Sequence, residues 1–217
     1  KCGYEILQTT CPEAMYLYGG EDFIKNFSVE NDFTYGIGPG LGTDYETEEK
    51  LMHFLKNYNE PLVLDADALN LISKNSENLN LIPKKSIITP HPKEFSRLFG
   101  ESKDSFERLE LAKSKAKELN IYIVLKGHHT QIITPEGNVF YNITGNSGLA
   151  KGGSGDVLLG IITSFLAQGY SPENAAIFGV WLHGKAADFT AEKHSKEAML
   201  ASDVIQHIGE VFKYLQK

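Results

Sequence analysis

Short apolar runs alternate along this chain with longer stretches in which every third or fourth residue is apolar, a pattern that predicts strands and helices in turn. A strand is predicted over 5–9, followed by a break at Pro12 and a mixed apolar stretch ending in Gly19-Gly20. Residues 32–36 (D-F-T-Y-G) read as the next strand, and 45–58 as a helix with Leu51, Phe54, Leu55 and Tyr58 on one face and Thr43 and Asp44 as caps. The run 61–65 (P-L-V-L-D) has the continuous apolar character of a strand buried on both faces, and a short helix follows over 66–73. Strand 86–89 leads into helix 93–99, and 105–120 is an amphipathic helix with Leu109, Ala112, Ala116 and Leu119 as its stripe. The strongest strand is 121–125 (I-Y-I-V-L). After it, 131–134 and 139–142 alternate around P-E-G and predict a hairpin.

Three helices close the chain, over 155–168, 172–192 and 201–216. Ser171 and Ser202 are the candidate caps, Pro172 suits a first helical position, and Gly169 ends the first of the three. The small residues Ala175, Ala176, Gly179, Ala186 and Ala187 allow close packing of the second, where Trp181 and His183 read as packing residues. Strand–helix alternation of this kind predicts an α/β fold.

The 217 residues suit a single domain, and a 41% hydrophobic fraction is that of an ordinary globular chain. Lys and Arg number 21 against 28 Asp and Glu, so the net charge of -7 supplies no general field for a polyanion and nucleic acid is not an expected partner. Cys2 and Cys11 are too few for a disulfide framework and fit a reducing compartment, for which the cytoplasm is the expectation. No apolar run reaches the length of about 18 residues that a membrane-spanning helix needs.

The densest candidate chemistry lies at 146–160, N-S-G-L-A-K-G-G-S-G-D-V-L-L-G. Gly148, Gly152, Gly153 and Gly155 crowd the chain just before a helix whose first turn offers unpaired N–H groups and the positive end of its dipole, a ready anion site. Asp156 stands on that first turn, where a carboxylate beside a phosphate suits phosphoryl transfer. Capping alone accounts for a lone Asp, but less well for four glycines running into one. A Walker loop does not fit, since Lys151 precedes the glycine pair, and a dinucleotide fingerprint does not fit, since no strand leads tightly into a G-x-G-x-x-G pattern.

A second glycine-rich turn, Gly38-Pro39-Gly40-Leu41-Gly42, follows the predicted strand 32–36 and reads equally as a ligand turn or a plain βα connection. Asp65, Asp67 and Asn70 fall at a strand's carboxyl end, which suits a hydrated Mg²⁺, while Asp67 taken singly suits a helix cap. His91, clamped between Pro90 and Pro92, is presented from a stiff turn as a ligand contact. Lys126 leaves the central strand beside Gly127 with reach for phosphates, and His128, His129 and Thr130 follow to line a nucleotide. Adjacent histidines in a strand point to opposite faces, so no zinc site is read there.

The segments G-P-G-L-G (38–42), L-D-A-D-A-L-N (64–70), I-T-P-H-P-K-E-F (88–95), V-L-K-G-H-H-T (124–130) and G-G-S-G-D-V-L-L-G (152–160) occur in the order found in the NAD(P)H-hydrate dehydratases, repair enzymes of the ribokinase-like superfamily, which this sequence resembles over nearly its whole length. The resemblance implies a three-layer α/β/α ribokinase-like fold with a central mostly parallel sheet, and loss of water from hydrated NADH or NADPH, driven by ADP or ATP with Mg²⁺. By similarity Gly40, His91 and Asp156 match substrate contacts. Lys126, Gly127, His128, His129, Thr130 and Gly155 match positions around the nucleotide phosphates, and Gly153 and Ser154 adjoin them in the loop. Asp156 is the expected catalytic base. Family members carry a further segment ahead of K-C-G-Y-E-I-L-Q-T-T, so a chain truncated at its start is expected, with a separate chain or fused domain supplying that part. A homo-oligomer is expected as well. The competing expectations are a vitamin-precursor or sugar kinase of the same superfamily, and a catalytically idle nucleotide-binding protein.

Overall fold

Successive residues of an extended chain point to opposite sides, and in this protein that alternation sorts the core into two halves. The computed structural model describes residues 2–17, 19, 30 and 32–216. Six short strands, β1 (Gly36–Ile37), β2 (Val63–Leu64), β3 (Ile87–Ile88), β4 (Tyr122–Leu125), β5 (Gln131–Ile133) and β6 (Val139–Tyr141), form one sheet in sequence order. The pairs from β1 to β4 are parallel, and β5 and β6 add an antiparallel hairpin in the register Ile123↔Ile133 and Ile132↔Phe140. Extended pairing runs past the shortest ladders, since Ile87 N donates to Leu62 O and Asp65 N to Ile37 O.

Leu62, Leu64, Ile88, Ile123, Leu125 and Ile133 face a layer made by α2 (Tyr45–Asn57), α3 (Ala66–Ile72), α4 (Pro92–Phe99) and α5 (Ser105–Leu119). Their neighbours Val63, Ile87, Tyr122, Val124 and Ile132 face the opposite layer, α6 (Ser154–Ala167), α7 (Pro172–His194) and α8 (Ala201–Leu215). Leu62, Val63 and Leu64 are all fully buried, each contributing roughly 1.5–3 kcal/mol by leaving water, so the run P-L-V-L-D supports both layers at once. The result is the expected three-layer α/β/α arrangement. Parallel strands place the β1–β4 carboxyl ends along a single edge, and the candidate chemistry collects there.

Several local expectations need correction. Residues 5–9 belong to a helix, α1 (Cys2–Thr10), in which Thr9 and Thr10 return their hydroxyls to Glu5 O and Ile6 O. The strand expected at 32–36 pairs at Gly36–Ile37, with Tyr35 O accepting from Val63 N. Gly20 lies outside the described residues. Ser202 does not cap α8: the cap is Leu200, whose N–H donates to Asp203 Oδ2 at 2.8 Å. The small residues of α7 are consumed within the chain, for a Cβ at Gly179 would stand 2.7 Å from Ile162 Cγ1. Among the described residues, no helix is long and apolar enough to cross a membrane.

Candidate functional site

The carboxyl end of β2 delivers Asp65 and that of β4 delivers Lys126, and the two meet with Nζ 2.8 Å from Oδ1. Asp65 is only 1% exposed, and burial holds its carboxyl above the usual range even though Lys126 pulls it down. Lys126 Nζ also stands 3.7 Å from Glu94 Oε2 on α4. Glu94 accepts from His91 N at 2.8 Å, and His91 Nδ1 accepts from Lys93 N and Glu94 N, so His91 caps α4 in a reciprocal box. That leaves Nε2 as the protonated nitrogen, 3.4 Å from Glu94 Oε1. Lys126 N donates to Pro90 O, which draws the clamped turn against the end of β4.

Above this network sits the start of α6. Its cap, Gly153, takes φ 88°, a left-handed conformation that a side chain would strain, and no side chain caps the first turn. The first N–H groups of α6 are therefore directed at whatever lies in front of the helix. A Cβ at Gly155 would stand 3.3 Å from Asp65 Oδ2 and 3.5 Å from Lys126 Nζ, so the helix start rests on the buried ion pair. Lys151 holds the loop from the other side, donating to the backbone oxygens of Lys196, Glu197 and Met199.

A cavity of about 720 Å³ opens between the glycine loop, the β4 end and α7, a size suited to a nucleotide. Of the residues singled out in the sequence, His91, Lys126, Gly127, His128, Thr130, Ser154 and Gly155 line it. Gly40, His129, Gly153 and Asp156 are not among its lining residues. Gly153 makes the turn into α6, where a Cβ would stand 3.3 Å from Ala201 Cβ, and His129 packs edge-on against the His128 ring, with centroids 4.4 Å apart. Gly40 lies in the turn after β1, which is tied to the β2 end by Gly42 N donating to Asp67 Oδ2. Asp156 is exposed on the first turn of α6 and lines a second, apolar cleft of about 540 Å³ between α6 and α8, with Val157, Ile161 and Phe212. Its chain neighbour Gly155 lines the first cavity.

The hydrated Mg²⁺ suggested for Asp65, Asp67 and Asn70 is not supported, because all three are committed to protein. Asp65 holds Lys126, Asp67 holds Gly42 N instead of capping α3, and Asn70 Oδ1 accepts from Arg97 at 2.7 Å. Among the described residues, no group of three His, Cys, Asp or Glu is placed to hold a metal ion.

The sequence reading missed the far wall. Thr144 Oγ1 donates to Trp181 O, Gly145 N donates to Asp188 Oδ2, and Asn146 Nδ2 donates to Ala187 O and Asp188 Oδ1, fixing the 142–146 loop to α7. No periodicity signals these contacts, since they join a loop to a helix some 40 residues on. His183, read as a packing residue, is also on that wall.

Residues 4–210 match the model of a family described as NAD(P)H-hydrate dehydratase. The chain is 36% identical over 214 residues to the ADP-dependent (S)-NAD(P)H-hydrate dehydratase of Bacillus subtilis, covering 96% of this chain and 74% of that protein. It is 33% identical over 216 residues to the bifunctional NAD(P)H-hydrate repair enzyme of Thermofilum pendens, covering 99% of this chain and 41% of the relative's length. A crystal structure of the ADP/ATP-dependent dehydratase from Bacillus subtilis, co-crystallized with ATP and Mg²⁺, superposes with a TM-score of 0.79 at 34% identity, covering 97% of this chain and 75% of that one.

Proposed function

This chain belongs to the NAD(P)H-hydrate dehydratase family, and on that premise we propose that it removes water from hydrated NADH and NADPH at the expense of ADP or ATP. The observation that carries the reading is Asp156 on the uncapped first turn of α6, one residue from the point where Gly155 rests on Lys126 and Asp65, beside a nucleotide-sized cavity.

In the proposed reaction the nucleotide's phosphates lie against the 152–155 loop, with Lys126 and Gly127 beneath and His128 and Thr130 alongside. Asp156 accepts the proton of the ring hydroxyl as that oxygen attacks the terminal phosphoryl group, and the bond to the nucleotide's bridging oxygen breaks. Loop N–H groups stabilise the charge on the transferring group, and such preorganised donors contribute roughly 3–4 kcal/mol each in comparable sites. Hydroxide is a poor leaving group and phosphate a good one, so the ring nitrogen's lone pair expels phosphate, and loss of a proton from the adjacent ring carbon to the departing phosphate or to water restores the ring double bond of the reduced nicotinamide. Mg²⁺ would be held mainly by the nucleotide's own phosphates, whose charge it would offset, given that Asp65 and Asp67 are already paired within the protein. Gly40 and His91 would bound the dinucleotide side. Action in the cytoplasm and a homo-oligomeric state complete the proposal.

The test is direct. Purified hydrated NADH is mixed with the protein and Mg²⁺, with ADP and with ATP in parallel, and the near-ultraviolet absorbance of reduced nicotinamide is followed together with released phosphate. Both should rise together with at least one nucleotide. A stable phosphoester without recovered absorbance would mark a kinase instead.

A further inference from the structure

The cavity lining holds two unlike groups of touching residues. A Cβ at Gly155 would meet Lys126, and these with the glycine loop make the end suited to phosphates, while Cβ positions at Gly184 and Gly145 would meet Thr144 and Leu149, which with Val180 and His183 of the same helix make the other. His183 is 7% exposed, and its Nε2 has no hydrogen-bond partner. An unpaired polar atom in such a place costs roughly 1–3 kcal/mol, so its persistence calls for a reason. Burial alone pushes the imidazole down to about 4, so at neutral pH the ring is uncharged and offers one donor and one acceptor.

The backbone around His183 is tightly held. A Cβ at Gly184 would come within 2.8 Å of the Thr144 backbone, so only glycine lets α7 approach the 142–146 loop this closely. Thr144, Gly145 and Asn146 are in turn bonded to α7 on both sides of His183. The ring therefore stands at a rigid wall, where its only soft motion is rotation about the Cβ–Cγ bond, a broad torsion that turns a nitrogen toward the cavity at small cost.

We infer that His183 is the residue that recognises the nucleoside half of the bound nucleotide, giving a neutral hydrogen bond to the base edge or to a ribose hydroxyl. The inference rests on the reading of the cavity as a nucleotide site. A neutral partner suits this end, because the Asp188 carboxylate on this wall is spent on Gly145 N and Asn146 Nδ2, whereas Lys126 serves the phosphates at the other.

The experiment measures calorimetric affinities of ADP and of inorganic tripolyphosphate for the protein, His183→Phe and His183→Gln. His183→Phe should weaken ADP about tenfold, the loss of one buried hydrogen bond of roughly 1.4 kcal/mol, and leave tripolyphosphate unchanged. His183→Gln, which keeps a hydrogen-bonding group near the Nε2 position, should recover most of the ADP affinity. Repeating the comparison with inosine diphosphate and 2′-deoxy-ADP identifies the ligand group, since His183→Phe costs nothing further once its partner is absent. Unchanged ADP affinity in both variants, or an equal loss for tripolyphosphate with far-ultraviolet circular dichroism intact, overturns the assignment and leaves the nucleotide site standing. If the unsubstituted protein binds neither ADP nor tripolyphosphate, the nucleotide reading falls and this assignment with it. Should His183→Phe not fold, His183→Leu takes its place, with the same expected and overturning results.

Discussion

Lys126 and Asp65, sixty-one positions apart in sequence, form an ion pair 2.8 Å long beneath the first turn of α6. Two parallel strands bring them together at the edge where ligands collect, and Gly155 rests on both. The pair thus joins the fold's stability to the geometry of the candidate phosphate end. Glu94, 3.7 Å from the same Nζ, is a second carboxylate depending on this one cation.

Removing the cation should therefore be costly in a pH-dependent way. Lys126→Met leaves Asp65 buried without a counter-charge, an arrangement that destabilises by about 3 kcal/mol at neutral pH. Asp65 already has its folded-state pKa raised by burial, so the folded protein holds that proton more tightly than the unfolded chain, and stability from this group falls as pH rises through the window above 3.8. Loss of Lys126 removes the largest influence opposing that rise. The deficit of the variant, measured by urea unfolding, should be full near neutrality and shrink in acid as Asp65 protonates. Asp65→Asn added to Lys126→Met should recover part of it. A deficit equal at both pH values would mean that the lysine acts only through packing.

Asp156 differs in that it is exposed and has no structural duty. Asp156→Asn should change stability by no more than about 0.5 kcal/mol and leave ADP affinity nearly intact. Turnover of hydrated NADH should fall by roughly 10²–10⁴, the range for loss of a general base. Parallel thermal unfolding, calorimetry and turnover assays check the three statements. Near-normal turnover would remove Asp156 from the role of base.

The fold was legible wherever one short segment carried its own period. I-Y-I-V-L announced β4, and P-E-G between alternating runs announced the antiparallel hairpin. The first ten residues were not legible, because the β-branched Ile6, Thr9 and Thr10 suggest extension while the two threonine hydroxyls are equally able to bond back along a helix, as they do here. In the candidate site, the glycine loop and Lys126 could be read because glycine density and a cation at a strand end are local signals. The partner of Lys126 could not be read from spacing. Asp65 closes an apolar run, which shows a buried acid in need of a partner, but only the strand order says which cation supplies it. His183 was hidden for a related reason: on a helix of small buried residues an imidazole looks like packing until the cavity beside it is seen.

His183 also adds to the acid sensitivity of the fold. Its pKa is 6.5 in the reference state and about 4 in the folded protein, lowered by burial, so between those values the unfolded chain binds the proton and the folded one does not. Stability from this residue is therefore full above pH 6.5 and is lost as pH falls toward 4, by roughly 3 kcal/mol in all. Asp65 titrates in the opposite sense, gaining stability on acidification, so the raw pH profile of the protein mixes the two. The difference between the protein and His183→Phe isolates the histidine, because Asp65 is common to both. That difference, taken from chemical unfolding at several pH values, should change steeply between pH 6.5 and about 4 and be flat above pH 7. A difference without slope in that window would show that His183 already reaches solvent or a counter-charge when protonated, and would remove the buried, neutral imidazole on which the nucleoside contact depends.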